Sequence, residues 1–199
     1  MEQKRNRLKI AVNSPVILGF SGVCLAVLIL NYLTQGQSNR LLFCVYRSSL
    51  FNPLTYLRLF THVFGHASLE HFVNNIMLLL IVGPLLEEKY GSGVIALMIL
   101  VTAFVTGVVH CLFFPGTALL GASGVVFALI LLSSFTSIQE GTIPLTFILV
   151  AVFYIGQQVL SGVFVQDNVS NLTHILGGVV GAAVGFRVNY PGKSAAKPS

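Results

Sequence analysis

The chain has 199 residues, of which 55% are hydrophobic and 9% are charged. A soluble domain carries about a quarter charged residues, so this composition excludes a water-soluble globular protein and predicts one that is dissolved in lipid. The formal net charge of +5 does not indicate a nucleic-acid partner, because seven of the 11 basic residues lie near the two ends of the chain.

A helix that crosses a bilayer needs about 20 apolar residues, and six stretches of this sequence qualify. In chain order they are Pro15–Leu33, Leu69–Leu86, Ser92–Phe114, Leu119–Ile138, Ile143–Val165 and Leu172–Val188. The sequence therefore predicts an all-α membrane protein: a six-transmembrane-helix bundle over residues 14–189, preceded by a segment at 1–13 and followed by a tail at 190–199. The first span is long for a signal peptide and no cleavage site follows it, so we expect it to be retained.

The basic residues predict the orientation of these spans. Lys and Arg concentrate on the cytoplasmic side of membrane proteins, and an even number of spans places both termini on one side. We therefore predict a multi-pass protein of the cell membrane with its N- and C-termini in the cytoplasm, and Lys89 falls on that same side. Arg40, Arg47 and Arg58, in the long first loop, run against this bias.

Four polar residues stand at corresponding places in three of the spans. His71 and Asn75 lie at the start of span two, Ser123 at the start of span four and His174 at the start of span six. These spans run in the same direction, so the four residues are predicted to share one depth in the outer half of the bilayer. Each has an ordinary explanation, as a serine bonded to its own helix or as a polar contact between helices. Ionisable groups within a membrane are nevertheless costly and mark function.

The residue types indicate hydrolysis. A serine hydroxyl is a weak nucleophile until a base removes its proton, and His174 is the histidine placed to do so for Ser123. The His71 ring, the Asn75 amide and the Ser123 backbone N–H are candidate donors to an oxyanion. The nearest acid in the sequence is Asp167, seven residues before His174, so we predict a Ser–His dyad rather than a triad.

Span six also carries a glycine at every fourth position, at Gly177, Gly181 and Gly185. Such a stripe of small residues lets two helix backbones approach closely. We expect it to face span four, and His174 lies on the same stripe because it precedes Gly177 by three residues.

No metal site and no cofactor are predicted. The three cysteines, Cys24, Cys44 and Cys111, lack the spacing of metal ligands or of a disulfide framework. Two of them lie in spans, so they are interpreted as small buried hydrophobic residues.

Taken in order, these residues resemble the rhomboid family of intramembrane serine proteases. The matching segments are Arg58–His62, His66–Asn75, Gly83–Gly91, Gly121–Gly124 and the pattern of His174, Gly177 and Gly181. The resemblance implies that Ser123 is the nucleophile and His174 the general base, with an oxyanion hole formed by His71, Asn75 and the Ser123 amide. It implies supporting roles for His66, Gly121, Gly124 and Phe127.

The resemblance further implies a compact bundle of the bacterial kind around a water-filled cavity that opens outward. Its partners would be membrane lipid and single-span membrane proteins, cut near the outer surface, with no nucleic acid and no metal. Span five and the loop Gln166–Asn171 would form a lateral gate and a cap, and Glu87 would brace the cytoplasmic end.

Two positions depart from the family pattern. Phe127 stands where tyrosine is frequent and Thr173 where alanine is frequent, but neither change removes a catalytic group.

Two other functions fit the sequence less well. An inactive relative that binds or escorts membrane clients would be expected to lack Ser123 or His174. A small transporter or channel would need a polar path through the inner leaflet, where these spans carry little beyond serine, threonine and glycine.

Overall fold

A computed structural model describes residues 12–134, 145, 148, 149, 152, 153 and 168–189. Its helices are α1 (Pro15–Leu33), α2 (Gln37–Leu42), α3 (Pro53–Thr61), a 3₁₀ turn (His62–Phe64), α4 (Leu69–Tyr90), α5 (Ser92–Phe113), α6 (Ser123–Ser134) and α7 (Asn168–Asn189). Within these residues the only β-type pairing is an isolated antiparallel bridge between Val45 and Leu119. The all-helical architecture is therefore confirmed for the described part of the chain.

Three of the described helices, α1, α4 and α5, are long and apolar enough to cross a membrane. Two shorter apolar helices, Ser123–Ser134 and Leu172–Val188, accompany them. The bounds of the first predicted span agree with α1, and α4 continues four residues beyond the predicted end of span two. Most of the fifth predicted span, Ile143–Val165, lies outside the described residues, so the count of six spans stays a prediction.

Two predicted boundaries are wrong. Helix α6 begins at Ser123 rather than at Leu119, because Leu119 pairs its backbone with Val45 and Gly121 has a φ of +128°, which no right-handed helix contains. Helix α7 begins at Asn168, so residues 168–171 of the expected cap loop Gln166–Asn171 are helical. A search for apolar residues cannot find this first turn, because the helix extends beyond its apolar part.

The first residues of the helices explain where they begin. A proline stands in the first turn of α1 and of α3, where its missing N–H leaves no partner unsatisfied. The side chain of Asn52 caps α3 by accepting from the Leu54 N–H. The Ser68 hydroxyl caps α4 by accepting from the His71 N–H at 3.1 Å, which places His71 in the first turn of α4.

Helices α1 and α4 are joined by a close contact and by a buried carboxylate. Gly83 leaves room for the Ile17 side chain, which would lie 2.6 Å from a Cβ at that position. One turn further, the Glu87 carboxylate accepts the Val16 and Ile17 N–H groups, each at 2.9 Å, and the Ser92 hydroxyl at 2.6 Å. A negative charge at a helix N-terminus is stabilising, so the structure supports the expected bracing role of Glu87.

Helices α6 and α7 approach until their backbones touch. A Cβ at Gly177 would lie 2.1 Å from the Gly124 carbonyl oxygen, and one at Gly181 would lie 2.0 Å from the Ala128 carbonyl oxygen. Two successive glycines of the predicted stripe therefore face the helix that Ser123 begins. The expectation that this stripe packs against span four is confirmed.

We expect Glu87→Ala to lower the free energy of unfolding by about 2–4 kcal/mol, because two backbone N–H groups at the start of α1 lose a charged acceptor in a buried place. The measurement is denaturant or thermal unfolding in mild detergent. The matched control is Glu88→Ala, since Glu88 is the exposed neighbour on the same helix and should change stability by less than about 0.5 kcal/mol. Equal effects of the two substitutions would contradict the cap.

We expect Gly181→Ala to destabilise the protein by about 1–3 kcal/mol, because its added methyl group meets the Ala128 carbonyl and forces α6 and α7 apart. The same substitution at Gly22 in α1, where no atom lies within 4 Å of the added carbon, is the control and should be tolerated. Unfolding curves of the two variants provide the comparison. A Gly181→Ala variant as stable as Gly22→Ala would show that the helices can separate at no cost.

Candidate active site

Ser123 is the first residue of α6 and is partly exposed. The loop before it is held by backbone hydrogen bonds to the long first loop of the chain. Val45 and Leu119 exchange both of their N–H···O bonds at 2.9 Å, and the Gly121 N–H donates to the His62 carbonyl at 2.9 Å. Because three bonds hold the four residues before the serine, the position of Ser123 is set by the first loop as well as by its own helix.

The His71 ring lies directly over Gly121. A Cβ at Gly121 would be 2.7 Å from the His71 Cε1 atom and 2.9 Å from its Nε2 atom. The backbone of Gly121 also has a φ of +128°, a conformation that L side chains rarely adopt. Glycine is required here for both reasons, and the contact brings the imidazole of α4 to a residue two positions before Ser123.

Asn75 lies one turn beyond His71 on α4 and is buried. Its Nδ2 atom donates to the His71 carbonyl at 2.8 Å. A side-chain amide has two N–H hydrogens, so this bond orients the group and leaves a second hydrogen for another acceptor. The sequence-based expectation that His71 and Asn75 share one helix face agrees with this arrangement.

His174 lies against the first turns of α6. The centroid of its ring is 4.3 Å from that of Phe127, with 42° between the planes. The preceding residue, Thr173, places its Cγ2 atom 3.4 Å from the Cβ position of Gly124. Since Gly124 follows Ser123 directly and Phe127 lies one turn later, the structure brings the histidine of α7 to the end of α6 where Ser123 lies.

His66 supports the His71 side of this group. Its ring makes edge contacts with His71 at 5.1 Å and with Phe72 at 5.4 Å, measured between centroids. It has no exposed surface, and its Nδ1 atom pairs with the Phe64 carbonyl at 3.1 Å. Burial lowers the pKa of His66 to about 4, so the ring is neutral at neutral pH and places no fixed charge next to His71.

A second polar cluster, which the sequence analysis did not find, lies beneath the loop Leu119–Ala122, here called the serine loop. The His62 ring bonds the Arg58 carbonyl at 3.1 Å and the Thr106 hydroxyl of α5 at 3.3 Å. His110, one turn after Thr106, bonds the Thr117 carbonyl at 3.1 Å. Burial lowers the pKa of His62 to about 4. The spacing of four between Thr106 and His110 was the available sequence signal, but a helix face alone does not identify its partner.

The remaining candidates lie away from this site or outside the described residues. Glu87 binds the start of α1 at the opposite end of α4 from His71, and Asp167 is outside the described residues. Cys24 and Cys44 are buried and Cys111 is partly buried, all three as free thiols. No group of three possible metal ligands occurs among the residues that the structure describes.

Comparison with known proteins agrees with the resemblance that the sequence motifs indicate. The sequence model of the Rhomboid domain matches residues 53–191. The "Rhomboid protease GlpG" of Serratia proteamaculans (strain 568) is 28% identical over 178 residues, which are 86% of this chain and 62% of that protein. The protein of the same name from Salmonella choleraesuis (strain SC-B67) is 39% identical over 72 residues, which are 36% of this chain and 26% of that protein. The chain thus spans less than two thirds of the length of these relatives.

We expect Gly121→Ala to disrupt the serine loop, because the new methyl group would overlap the His71 ring and would force a side chain into a left-handed backbone conformation. Such strain costs about 1–3 kcal/mol, measurable as a lower unfolding temperature in detergent. Gly116→Ala, in the same connection between α5 and α6, is the control because its added carbon meets nothing within 4 Å. Identical unfolding temperatures for both variants would contradict the packing of His71 on Gly121.

Proposed function

Because the chain belongs to the rhomboid family, we propose that this multi-pass membrane protein is an intramembrane serine endopeptidase that acts through a Ser123–His174 dyad. One observation carries the assignment of the dyad. The backbone contact between α6 and α7, at Gly124 with Gly177, holds His174 beside the turn that Ser123 begins. A base on one helix can activate a hydroxyl on another only if the two side chains come within hydrogen-bond reach, and close packing of the two helices favours this.

In the proposed mechanism, His174 accepts the proton of the Ser123 hydroxyl while the serine Oγ atom attacks the carbonyl carbon of the scissile peptide bond. The carbonyl oxygen becomes an oxyanion, and the histidine then gives its proton to the departing amine, so that the C–N bond breaks and an ester on Ser123 remains. A water molecule, deprotonated by the same histidine, attacks this ester and releases the carboxylic acid with the serine restored.

The oxyanion would be stabilised by three donors: the Ser123 backbone N–H at the start of α6, the second Asn75 N–H and the His71 ring. Supporting this proposal, His71 lies on Gly121 and Asn75 is oriented by its bond to the His71 carbonyl. The contact of His66 with His71 would keep that ring in place. Such preorganised donors favour the transition state because they need no reorganisation when charge develops.

The dyad needs another group to orient its base, and we assign this to Phe127. In a triad a carboxylate fixes the histidine tautomer and ring, and a dyad must orient its histidine through other contacts. The aromatic contact at 4.3 Å supports Phe127 as the group that orients the ring. Its lack of a hydroxyl does not matter for this purpose, because the contact is between the two rings.

The proposed substrates are single-span membrane proteins. We propose that six spans over residues 14–189 enclose the site, that the segments 1–13 and 190–199 lie in the cytoplasm, and that span five gates lateral entry. Ser123 begins its helix, so the cut would fall near the outer surface of the membrane. A peptide bond in a helix is shielded, and substrates should therefore carry helix-weakening residues there.

We expect Ser123→Ala and His174→Ala each to reduce cleavage of co-expressed single-span substrates below about a hundredth of wild type, with no additional loss in the double variant because the two residues act as a unit. A fluorophosphonate probe should label the wild type but not Ser123→Ala. Ser134→Ala, at the other end of α6, is the control and should be labelled and active. A protein that is folded yet neither labelled nor active would favour the inactive client-binding alternative.

We expect Asn75→Ala to lower kcat by about 10- to 100-fold with little change in KM, because an oxyanion donor acts in the transition state rather than in substrate binding. The neighbouring exposed residue provides the control, as Asn74→Ala should leave both constants unchanged. Steady-state kinetics with a purified substrate in detergent micelles measure the difference. A higher KM with an unchanged kcat would move Asn75 from the oxyanion hole to substrate binding.

A further inference from the structure

The first loop carries positive charge that neither the proposed chemistry nor the expected orientation of the spans explains. Residues 34–68 contain Arg40, Arg47 and Arg58 and no acidic residue. Arg58 is buried and is accounted for by the protein itself, since its guanidinium donates to the Tyr46 hydroxyl at 2.6 Å and the Ser48 hydroxyl at 2.8 Å. Arg40 and Arg47 are exposed, and no carboxylate of the described ranges forms an ion pair with either.

Arg40 lies on the wall of an open pocket of about 490 Å³. The pocket lies between the last turn of α1, helix α2 and the loop that contains Tyr46. Its apolar side is formed by Leu30, Leu41 and Leu42, and the polar residues of its wall include Gln37, Ser38 and Arg40. A volume of this size is within the range of small-molecule sites, and its lining offers both a positive charge and apolar side chains, which are the two kinds of contact that a lipid makes.

The pocket lies at the same end of the bundle as Ser123, which is the end that the proposed topology places at the outer membrane surface. The Tyr32 hydroxyl, in the last turn of α1, accepts from the Leu69 N–H at the start of α4 at 3.2 Å, which places this end of α1 beside the first turn of α4. Leu30 and Leu41 are exposed at 40% and 54% of their surfaces. Apolar side chains exposed beside an arginine at a helix end are typical of the zone where headgroups meet acyl chains.

The wall of the pocket is held in place before any ligand arrives. The Tyr46 hydroxyl donates to the Arg40 carbonyl at 3.2 Å and itself accepts from buried Arg58. The Thr34 hydroxyl accepts the Ser38 N–H at 3.1 Å and so holds the start of α2. The Ser38 hydroxyl is buried in this wall without a hydrogen-bond partner, which is a cost unless an acceptor is supplied.

From this arrangement we propose that the pocket between α1 and α2 binds an anionic phospholipid, with its phosphate at Arg40 and an acyl chain along Leu30 and Leu41. Charge complementarity selects this occupant, because the loop offers unpaired positive charge and no negative charge. Arginine binds phosphate through charge-assisted hydrogen bonds. This binding would fasten the first loop, which holds the serine loop through Val45 and His62, to one leaflet.

The test uses the purified full chain and a short-chain phosphatidylglycerol as the probe, followed by native mass spectrometry and by the shift in unfolding temperature. We expect saturable binding that weakens about tenfold in Arg40→Gln, the loss of one charge-assisted contact, and less than about twofold in the control Arg47→Gln, outside the pocket. Gln37→Trp should block the pocket and abolish binding without changing the charge. Because the readout is lipid binding, it is independent of whether Ser123 is catalytic.

Three results would overturn the proposal. Equal weakening by Arg40→Gln and Arg47→Gln would indicate diffuse attraction to the loop rather than a site. Phosphatidylcholine that binds as tightly as phosphatidylglycerol would remove the requirement for net negative charge. Competition by inorganic phosphate at the same concentration as the lipid would show that the pocket recognises the free ion and gains nothing from an acyl chain.

Discussion

The arrangement of the candidate site depends on the contact between the backbones of α6 and α7. Gly177 and Gly181 lie so close to the carbonyl oxygens of Gly124 and Ala128 that no side chain fits between them. Lipid tails are as apolar as leucine, so helices in a membrane gain little from the hydrophobic effect and associate through close packing. The glycines therefore allow the close packing that holds α6 and α7 together, and they set the short distance between the two helices. As a consequence, the His174 ring contacts Phe127.

A second constraint comes from the first loop. Non-helical backbone inside a membrane protein must have its polar groups paired within the protein, and the loop before Ser123 pairs three of its backbone groups with Val45 and with the His62 carbonyl. His62 in turn is joined to α5 through Thr106. The loop that precedes the serine is thus fixed by residues far from it in sequence, and a change in the first loop reaches Ser123 through only two or three hydrogen bonds.

Sequence patterns predicted the features that depend on apolar length and on small-residue spacing. The bounds of α1 and the face that Gly177 and Gly181 present follow directly from composition along a helix. The start of α6 was wrong because a four-residue loop of apolar and small residues, Leu119–Ala122, has the hydropathy of a span while its backbone pairs elsewhere. The role of His62 was missed because its main-chain carbonyl accepts the Gly121 N–H, and such a bond leaves no trace in residue type.

Helix α4 separates what stabilises this protein from what is proposed to act. At one end the Glu87 carboxylate accepts two N–H groups at the N-terminus of α1. At the other end the His71 ring lies on Gly121, and the Asn75 side chain is bonded to the His71 carbonyl. A carboxylate beside the proposed site would raise the proton affinity of its histidines, and its own desolvation would be costly. Glu87, the buried acid of α4, lies at the far end of the helix, so its charge does not act on the proposed oxyanion donors. The bundle can therefore bury this charge without placing it where an oxyanion would form.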